Sequence, residues 1–114
     1  MTKMHALVNE DGGMWRYTPG DRLSYVGAFE VRTSEGGVHT DLEALWSIAN
    51  RYGADVNDKI WPSTVRSMCT GDVVLVERAG GFDAYVVASF GFDRMEPADV
   101  IKSLVESRAE GVTL

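Results

Sequence analysis

Three side chains of this sequence could take part in nucleophilic catalysis. Cys69 is the single cysteine, and His5 and His39 are the only histidines. A thiol becomes a catalytic nucleophile when a neighbouring base takes its proton, and neither histidine lies near Cys69 along the chain. We therefore interpret Cys69 as a buried structural thiol that is dispensable for activity. We place both histidines at the surface and predict no catalytic residue.

Other residue patterns could hold a metal ion or a phosphate. The stretch Asp55, Asn57 and Asp58 is rich in oxygen ligands, but it lacks the glycine and the distal glutamate of a calcium loop. Gly36-Gly37 precedes a helical pattern without a phosphate-binding lysine, and Gly80-Gly81 joins two predicted strands. We interpret both glycine pairs as turns, and we predict no metal site and no cofactor.

Aromatic residues in polar or irregular segments are candidates for contact with a partner. Trp15, Tyr17 and Trp61 are three such residues. Aromatic side chains anchor many protein interfaces, but they also fill the edges of hydrophobic cores, so both roles remain open for these three. Trp46 instead falls on the apolar side of a predicted helix and belongs to the core.

Apolar runs predict the strands that position these groups. Runs of strand length, bounded by turn residues, cover residues 4–8, 23–32, 73–78 and 84–90. Residues 14–17 could return as one more short strand. Residues 73–76 are apolar at successive positions, which is typical of a central strand.

Two amphipathic segments predict helices at residues 41–52 and 97–109. In the first, apolar residues recur at three- and four-residue steps at Leu42, Leu45, Trp46, Ala49 and Tyr52. Thr40 and Glu43 have the spacing of a capping box, and Gly53 suits the end of the helix. The second helix begins at Pro97, and its buried side comprises Val100, Ile101, Leu104 and Val105.

Together these elements predict one α+β domain over residues 1–114. We expect a small antiparallel or mixed sheet of about four to five strands, with two amphipathic helices on one face.

Composition and charge exclude several classes of protein. The 114 residues are 45% hydrophobic with a net charge of −6, which argues against disorder. No apolar run approaches the ~20 residues of a membrane span, and no secretory signal opens the sequence. We therefore expect a cytoplasmic protein without a membrane partner. The 11 Lys and Arg residues are scattered, which disfavours nucleic acid as a partner.

Residues 66–74 read Arg-Ser-Met-Cys-Thr-Gly-Asp-Val-Val. This stretch resembles the R-S-hydrophobic-S-x-[GS]-D-V-V element of the YodL-like domains of phage, plasmid and conjugative-element proteins. Further similar motifs are Phe29-Glu30-Val31, the helix around residues 45–51, Ala84-Tyr85-Val86-Val87 and Gly91-Phe92. The resemblance covers roughly residues 23–95. The chain departs from the pattern at Cys69, where the family more often has serine, and in carrying a helix after Gly91-Phe92.

The resemblance implies an accessory protein of a phage or mobile element in a bacterial host cell, and it implies no particular activity. Because no catalytic set stands out, we expect a non-enzymatic module that binds a host or phage protein. The candidate binding residues are Trp15, Tyr17, Trp61, Arg66, Ser67 and Asp72. The alternative is a nucleic-acid-associated protein that uses a local basic patch around Arg16, Arg22 and Arg66. A homo-oligomer is compatible with either.

Arg66 and Asp72 also have a structural interpretation. Asp72 can fix the turn that enters the strand. Arg66 can then hold a second segment through charge-assisted hydrogen bonds. The sequence alone leaves open whether these two residues support the fold or form a recognition surface.

Overall fold

A computed structural model describes residues 2–11, 17–31, 35–50, 61–62 and 65–109, with side chains as far as Leu104. These residues form five strands and two helices. In chain order the elements are β1 (Thr2–Asn9), β2 (Leu23–Val31), α1 (Val38–Ala49), β3 (Val73–Arg78), β4 (Gly81–Val87), β5 (Phe92–Met95) and α2 (Pro97–Ala109). The predicted α+β class, with a small sheet and two helices, is confirmed.

All five strands belong to one antiparallel sheet in the order β2-β1-β3-β4-β5. Strand β3 is central, as its continuous apolar run predicts. Strand β4 begins before its predicted start because Ala79 and Gly80 form a two-residue turn, with a φ of 86° at Gly80. It ends at Val87, and β5, for which the sequence pattern predicts no strand, pairs with it. Tyr17 lies outside any strand, and residues 14–16 are outside the described ranges.

The two helices lie on opposite faces of the sheet, so the prediction that they share one face is wrong. Successive strand residues point to opposite sides, and each helix packs on a different set. The α1 side includes Met4, Ala6, Phe29, Val74, Val76, Tyr85 and Phe92 with Leu42, Leu45 and Ala49. The α2 side includes Leu7, Leu23, Val73, Leu75 and Ala84 with Val100 and Leu104. The apolar run of β3 therefore fills two cores with alternate residues.

Helix α1 begins three residues before its predicted start. Its N-cap is Gly37, no side chain bonds to the cap, and the capping box predicted for Thr40 and Glu43 is wrong. The backbone explains the difference, because Gly37 has a φ of 85°, which a glycine adopts readily. The helix ends at Ala49 with Asn50 as its C-cap; Tyr52 and Gly53 are outside the described residues.

Helix α2 has its predicted bounds, and two of the four residues predicted for its buried side are confirmed; the side chain of Val105 lies outside the described ones. Val100 is fully buried and Leu104 packs beside it. Ile101, which was predicted for the buried side, is 43% exposed, and Ser103, at 1% exposed, belongs to the buried side instead. Within the described ranges, neither helix has the length and apolar character needed to cross a membrane.

Candidate functional site

Asp72 is the centre of a hydrogen-bonded cluster that joins the end of β1 to the start of β3. Its carboxylate is 0% exposed. Arg66 donates to it twice, with Nη1 2.7 Å from Oδ2 and Nη2 2.8 Å from Oδ1. The backbone N–H groups of Asn9 and Cys69 each donate to it at 2.8 Å. Four donors thus satisfy a buried charge that would otherwise be costly.

The Arg66 guanidinium also holds a second segment of the chain. Its Nη2 donates to the carbonyl oxygen of Asn9 at 3.1 Å, and its Nη1 donates to the carbonyl oxygen of Ser67 at 3.0 Å. Hydrogen bonds to Asp72 raise the pKa of Arg66 above its usual value, against the opposing effect of burial. The predicted arrangement, in which Asp72 fixes a turn and Arg66 reaches a distant segment, is confirmed.

The local backbone explains how this cluster forms. Gly71 has a φ of 98°, and the Asp72 N–H donates to the Cys69 carbonyl oxygen at 3.1 Å, which closes a tight turn. The Gly71 N–H donates to the Val87 carbonyl oxygen at 2.9 Å, and the Val87 N–H donates to the Asp72 carbonyl oxygen at 2.8 Å. The end of β4 therefore anchors the turn that presents the Asp72 side chain.

Asn9 extends the cluster to the segment before β2, a role that sequence reasoning missed. Its Nδ2 donates to the carbonyl oxygen of Gly71 at 3.2 Å and to Oδ2 of Asp21 at 3.0 Å. Asp21 in turn accepts from the backbone N–H of Thr18 at 2.9 Å. The one hint of this role in the sequence is that the apolar strand at residues 4–8 is followed directly by an amide side chain.

Cys69 lies at the edge of this cluster and is exposed rather than buried. Its Sγ accepts a hydrogen bond from Arg66 Nη1 at 3.1 Å. Desolvation, followed by the charge of Asp72, raises the pKa of the Cys69 thiol above its usual value. A raised pKa lowers the thiolate fraction, which is the reactive form. The prediction that Cys69 is a buried residue is wrong; its dispensability stays a prediction.

The predicted aromatic residues separate into different roles. Trp61 is 1% exposed and stacks on Phe29, with ring centroids 5.4 Å apart. Its Nε1 donates to the Arg66 carbonyl oxygen at 2.8 Å, so it fills the core edge beneath the cluster. Tyr17 is half-buried, and its hydroxyl bonds to that of Ser103 on α2. Trp15 lies outside the described residues.

Four of the six predicted binding residues thus come together in one place. Trp61, Arg66, Ser67 and Asp72 are joined directly by hydrogen bonds. Asp72 and Trp61 are buried, so direct contact with a partner is left to Arg66, whose side chain is 45% exposed, and to the half-buried Ser67. Tyr17 lies apart from them, against α2.

A second polar group lies on the α2 side of the sheet, and sequence reasoning missed it. His5 Nε2 is 2.9 Å from Glu77 Oε1, and His5 Nδ1 is 2.7 Å from the Tyr25 hydroxyl. Phe82 packs edge-on against the imidazole. Burial and the charge of Glu77 raise the pKa of Tyr25, which opposes formation of a nucleophilic phenolate. His5 is therefore a partly buried link between three strands rather than the surface residue predicted.

A groove between α1 and the turn from β4 to β5 was also missed. Its volume is about 330 Å³, and we call it the Trp46 groove after its largest lining residue. It is lined by Glu43, Trp46, Thr70, Val87, Ala88, Ser89, Gly91 and Phe92. Phe90 lies between two of these residues and is 96% exposed. The feature of the sequence that could have indicated this groove is an apolar residue, Phe90, between the turn residues Ser89 and Gly91.

The described arginine side chains are all paired with carboxylates. Arg22 donates to Asp11 at 2.7 Å, and its hydrogen bonds lower the pKa of Asp11. Arg78 and Arg94 both bond to Asp83 at 3.0 Å. With Arg66 on Asp72, each of the four described guanidinium groups has a negative partner, and Arg16 lies outside the described ranges.

Metal ligands do not cluster in the described part of the chain. There, no three side chains of His, Cys, Asp and Glu are placed to hold one ion. Asp55, Asn57 and Asp58 lie outside it.

Comparison of the chain with models of known protein families, with curated proteins and with solved structures gives no match. The resemblance to the YodL-like domains therefore stays a prediction from the sequence motifs.

Proposed function

We propose that this protein is a non-enzymatic binding module that docks on another protein through Phe90 and the Trp46 groove. The observation that carries the proposal is the 96% exposure of Phe90. Burying a phenylalanine side chain stabilises a protein by about 1.5–3 kcal/mol, and Phe90 contributes almost none of this to its own fold. A partner that covers Phe90 would recover that energy.

The proposed docking surface includes the groove next to Phe90 as well as the exposed Phe90 side chain. Single exposed apolar residues are ordinary, whereas contiguous patches mark interaction sites. Ser89 and Gly91, the two neighbours of Phe90, both line the groove together with Trp46 and Phe92. Phe90 thus lies in the turn that forms one wall of the groove, and Trp46 on α1 and Phe92 on β5 supply its aromatic lining.

Four of the five motifs that resemble the YodL-like domains contribute residues to the same groove, including Trp46 of the helix around residues 45–51. Thr70 belongs to the element at residues 66–74, Val87 closes the second motif, and Gly91-Phe92 is a third; all four residues line the groove. On this resemblance we propose a phage or mobile-element accessory protein that acts on a host or phage protein in the bacterial cytoplasm. The Arg66–Asp72 cluster then serves to hold the adjoining turn in place.

Two other functions have less support. The raised pKa of the Cys69 thiol disfavours a thiol-dependent hydrolase or transferase. Pairing of Arg22 and Arg66 with carboxylates reduces the positive charge available to phosphate groups, which disfavours the nucleic-acid alternative.

Capture from bacterial lysate tests the proposal. Tagged wild-type protein, the Phe90→Ser variant and the control variant Ile101→Ser are compared after nuclease treatment. Ile101 is also an exposed apolar residue, but it lies on α2, on the other side of the sheet. We expect one protein to be retained by the wild type and the control and to be lost by Phe90→Ser, and the purified pair to show the same order in calorimetry.

Two results would contradict the proposal. A protein retained equally by all three forms would show that Phe90 is not the docking residue. Nucleic acid that survives high salt in place of a protein would favour the alternative function.

A further inference from the structure

The Trp46 groove combines aromatic walls with one charge. Among its eight lining residues, Glu43 is the single charged one. Glu43 is exposed on α1, and its carboxylate forms no ion pair or hydrogen bond with the described residues. It also has no role in capping, because α1 begins at Val38 with Gly37 as its cap. The carboxylate is thus available at the mouth of the groove.

The aromatic walls are Trp46 and Phe92. Their ring planes are nearly perpendicular, at 85°, with centroids 6.5 Å apart. Trp46 is half-buried, so part of its indole remains accessible from the groove. The face of an aromatic ring attracts a cation, and tryptophan does so most strongly. A carboxylate beside such a wall adds ionic attraction to the same ligand.

From this arrangement we propose that the groove receives a lysine or arginine side chain of the partner protein. The proposal rests on the proposed docking function and specifies its chemistry. A volume of about 330 Å³ is at the lower end of the range of about 300–1,000 Å³ for small-molecule pockets, which suits one long side chain. The aliphatic stem contacts Val87 and Phe92, and the charged end lies between Trp46 and Glu43.

The charge of the whole molecule favours the same partner. The net charge is −6, so the field of the protein attracts a basic segment during encounter. Among the described exposed arginines, Arg78 and Arg94 share Asp83, which offsets one of their two charges.

Small probes test the site without knowledge of the partner. N-acetyl-arginine amide and its neutral analogue N-acetyl-citrulline amide are titrated into 15N-labelled protein, and the indole N–H signal of Trp46 is followed, with Trp46→Phe used for assignment. We expect saturable shifts with the arginine probe and affinity about tenfold weaker for Glu43→Gln, a loss of about 1.4 kcal/mol. The control Glu96→Gln makes the same charge change at an exposed position outside the groove and should bind as the wild type does.

The outcomes separate this proposal from the docking function. If citrulline binds as well as arginine, or if Glu43→Gln binds as the wild type does, the cation site is wrong. If Glu43→Gln then still captures a protein that Phe90→Ser loses, docking stands without it. If the arginine probe binds with the expected dependence on Glu43 and no protein is captured, the cation site stands and the docking function falls.

Discussion

At the scale of single residues, the junction between β1 and β3 depends on Asp72. Its buried carboxylate accepts from the distant end of β1 at Asn9 and from the neighbouring residues Arg66 and Cys69. Removing one partner of a buried pair is costly because the buried charge or polar groups that remain are only partly compensated. The two partners are not equivalent, since the Arg66 side chain is 45% exposed and can turn to water.

We therefore expect Arg66→Ala to lower the free energy of unfolding by about 3–5 kcal/mol, because it leaves the buried Asp72 carboxylate with two backbone donors alone. Asp72→Ala should cost less, roughly 1.5–3 kcal/mol, because the Arg66 guanidinium that it leaves behind can turn to water. Thermal and urea unfolding measure both. Asp72→Asn, which keeps an acceptor oxygen, should fall between the wild type and Asp72→Ala.

The matched control is Arg22→Ala, which breaks an exposed ion pair with Asp11. Such pairs add little to stability, so its melting temperature should stay close to that of the wild type. Unchanged melting of the Arg66 and Asp72 variants together with loss of partner binding would instead make residues 66–74 a recognition surface.

Cys69 allows a prediction about pH. Its pKa is raised above the usual value of 9.0, so protonation persists to higher pH than in a free thiol. We expect alkylation by iodoacetamide to be slower than for free cysteine at pH 7 and to reach half its maximum at a higher pH than free cysteine does. The Cys69→Ala variant should keep both fold and partner binding. Faster alkylation than free cysteine, with loss of function in the variant, would support an enzyme.

At the scale of elements, the start of α1 shows a backbone feature prevailing over a side-chain signal. Gly37 has a φ of 85° and a ψ of −169°, a region of backbone conformation that is nearly restricted to glycine. This sharp change of direction begins the helix at Val38, before Thr40 can act as a cap. Asp41, in the first turn, is favourably placed for the helix dipole.

We expect Gly37→Ala to lower the free energy of unfolding by about 1–3 kcal/mol because of this conformation. An added Cβ would meet no atom within 4 Å, so the loss would reflect the backbone alone. Thr40→Ala should change stability very little, since Thr40 is exposed and caps nothing. Chemical unfolding compares the two variants; a larger loss for Thr40→Ala would restore the capping box.

At the scale of the whole molecule, local patterns predicted most elements but not how they face one another. The three- and four-residue spacing of Leu42, Leu45 and Ala49 correctly identified α1. The run at residues 73–76 correctly identified a central strand, yet it is apolar on both sides and does not say which helix covers which side. Strand β5 has four residues, too few for a clear alternation.

The candidate site was predictable only where its residues are close in sequence. Arg66 and Asp72 are six residues apart, and their pairing could be inferred from residue type. Glu77 lies 72 residues from His5, and the Trp46 groove joins α1 to a turn far along the chain. Contacts between residues so far apart depend on the strand register and on the face of the sheet that α1 covers. Local periodicity predicts neither of these.

The interior place of β1, between β2 and β3, affects how the protein folds as it leaves the ribosome. Strands β1 and β2 emerge first and can pair as a hairpin, but β3, the other neighbour of β1, begins 42 residues after β2 ends. At the usual rate of synthesis of ~5–20 residues per second, one edge of β1 remains unpaired for roughly 2–8 s before β3 has been made. An open strand edge invites pairing with a foreign strand. Slower translation of residues 32–72 should therefore reduce the yield of correctly folded protein even though its final stability is unchanged.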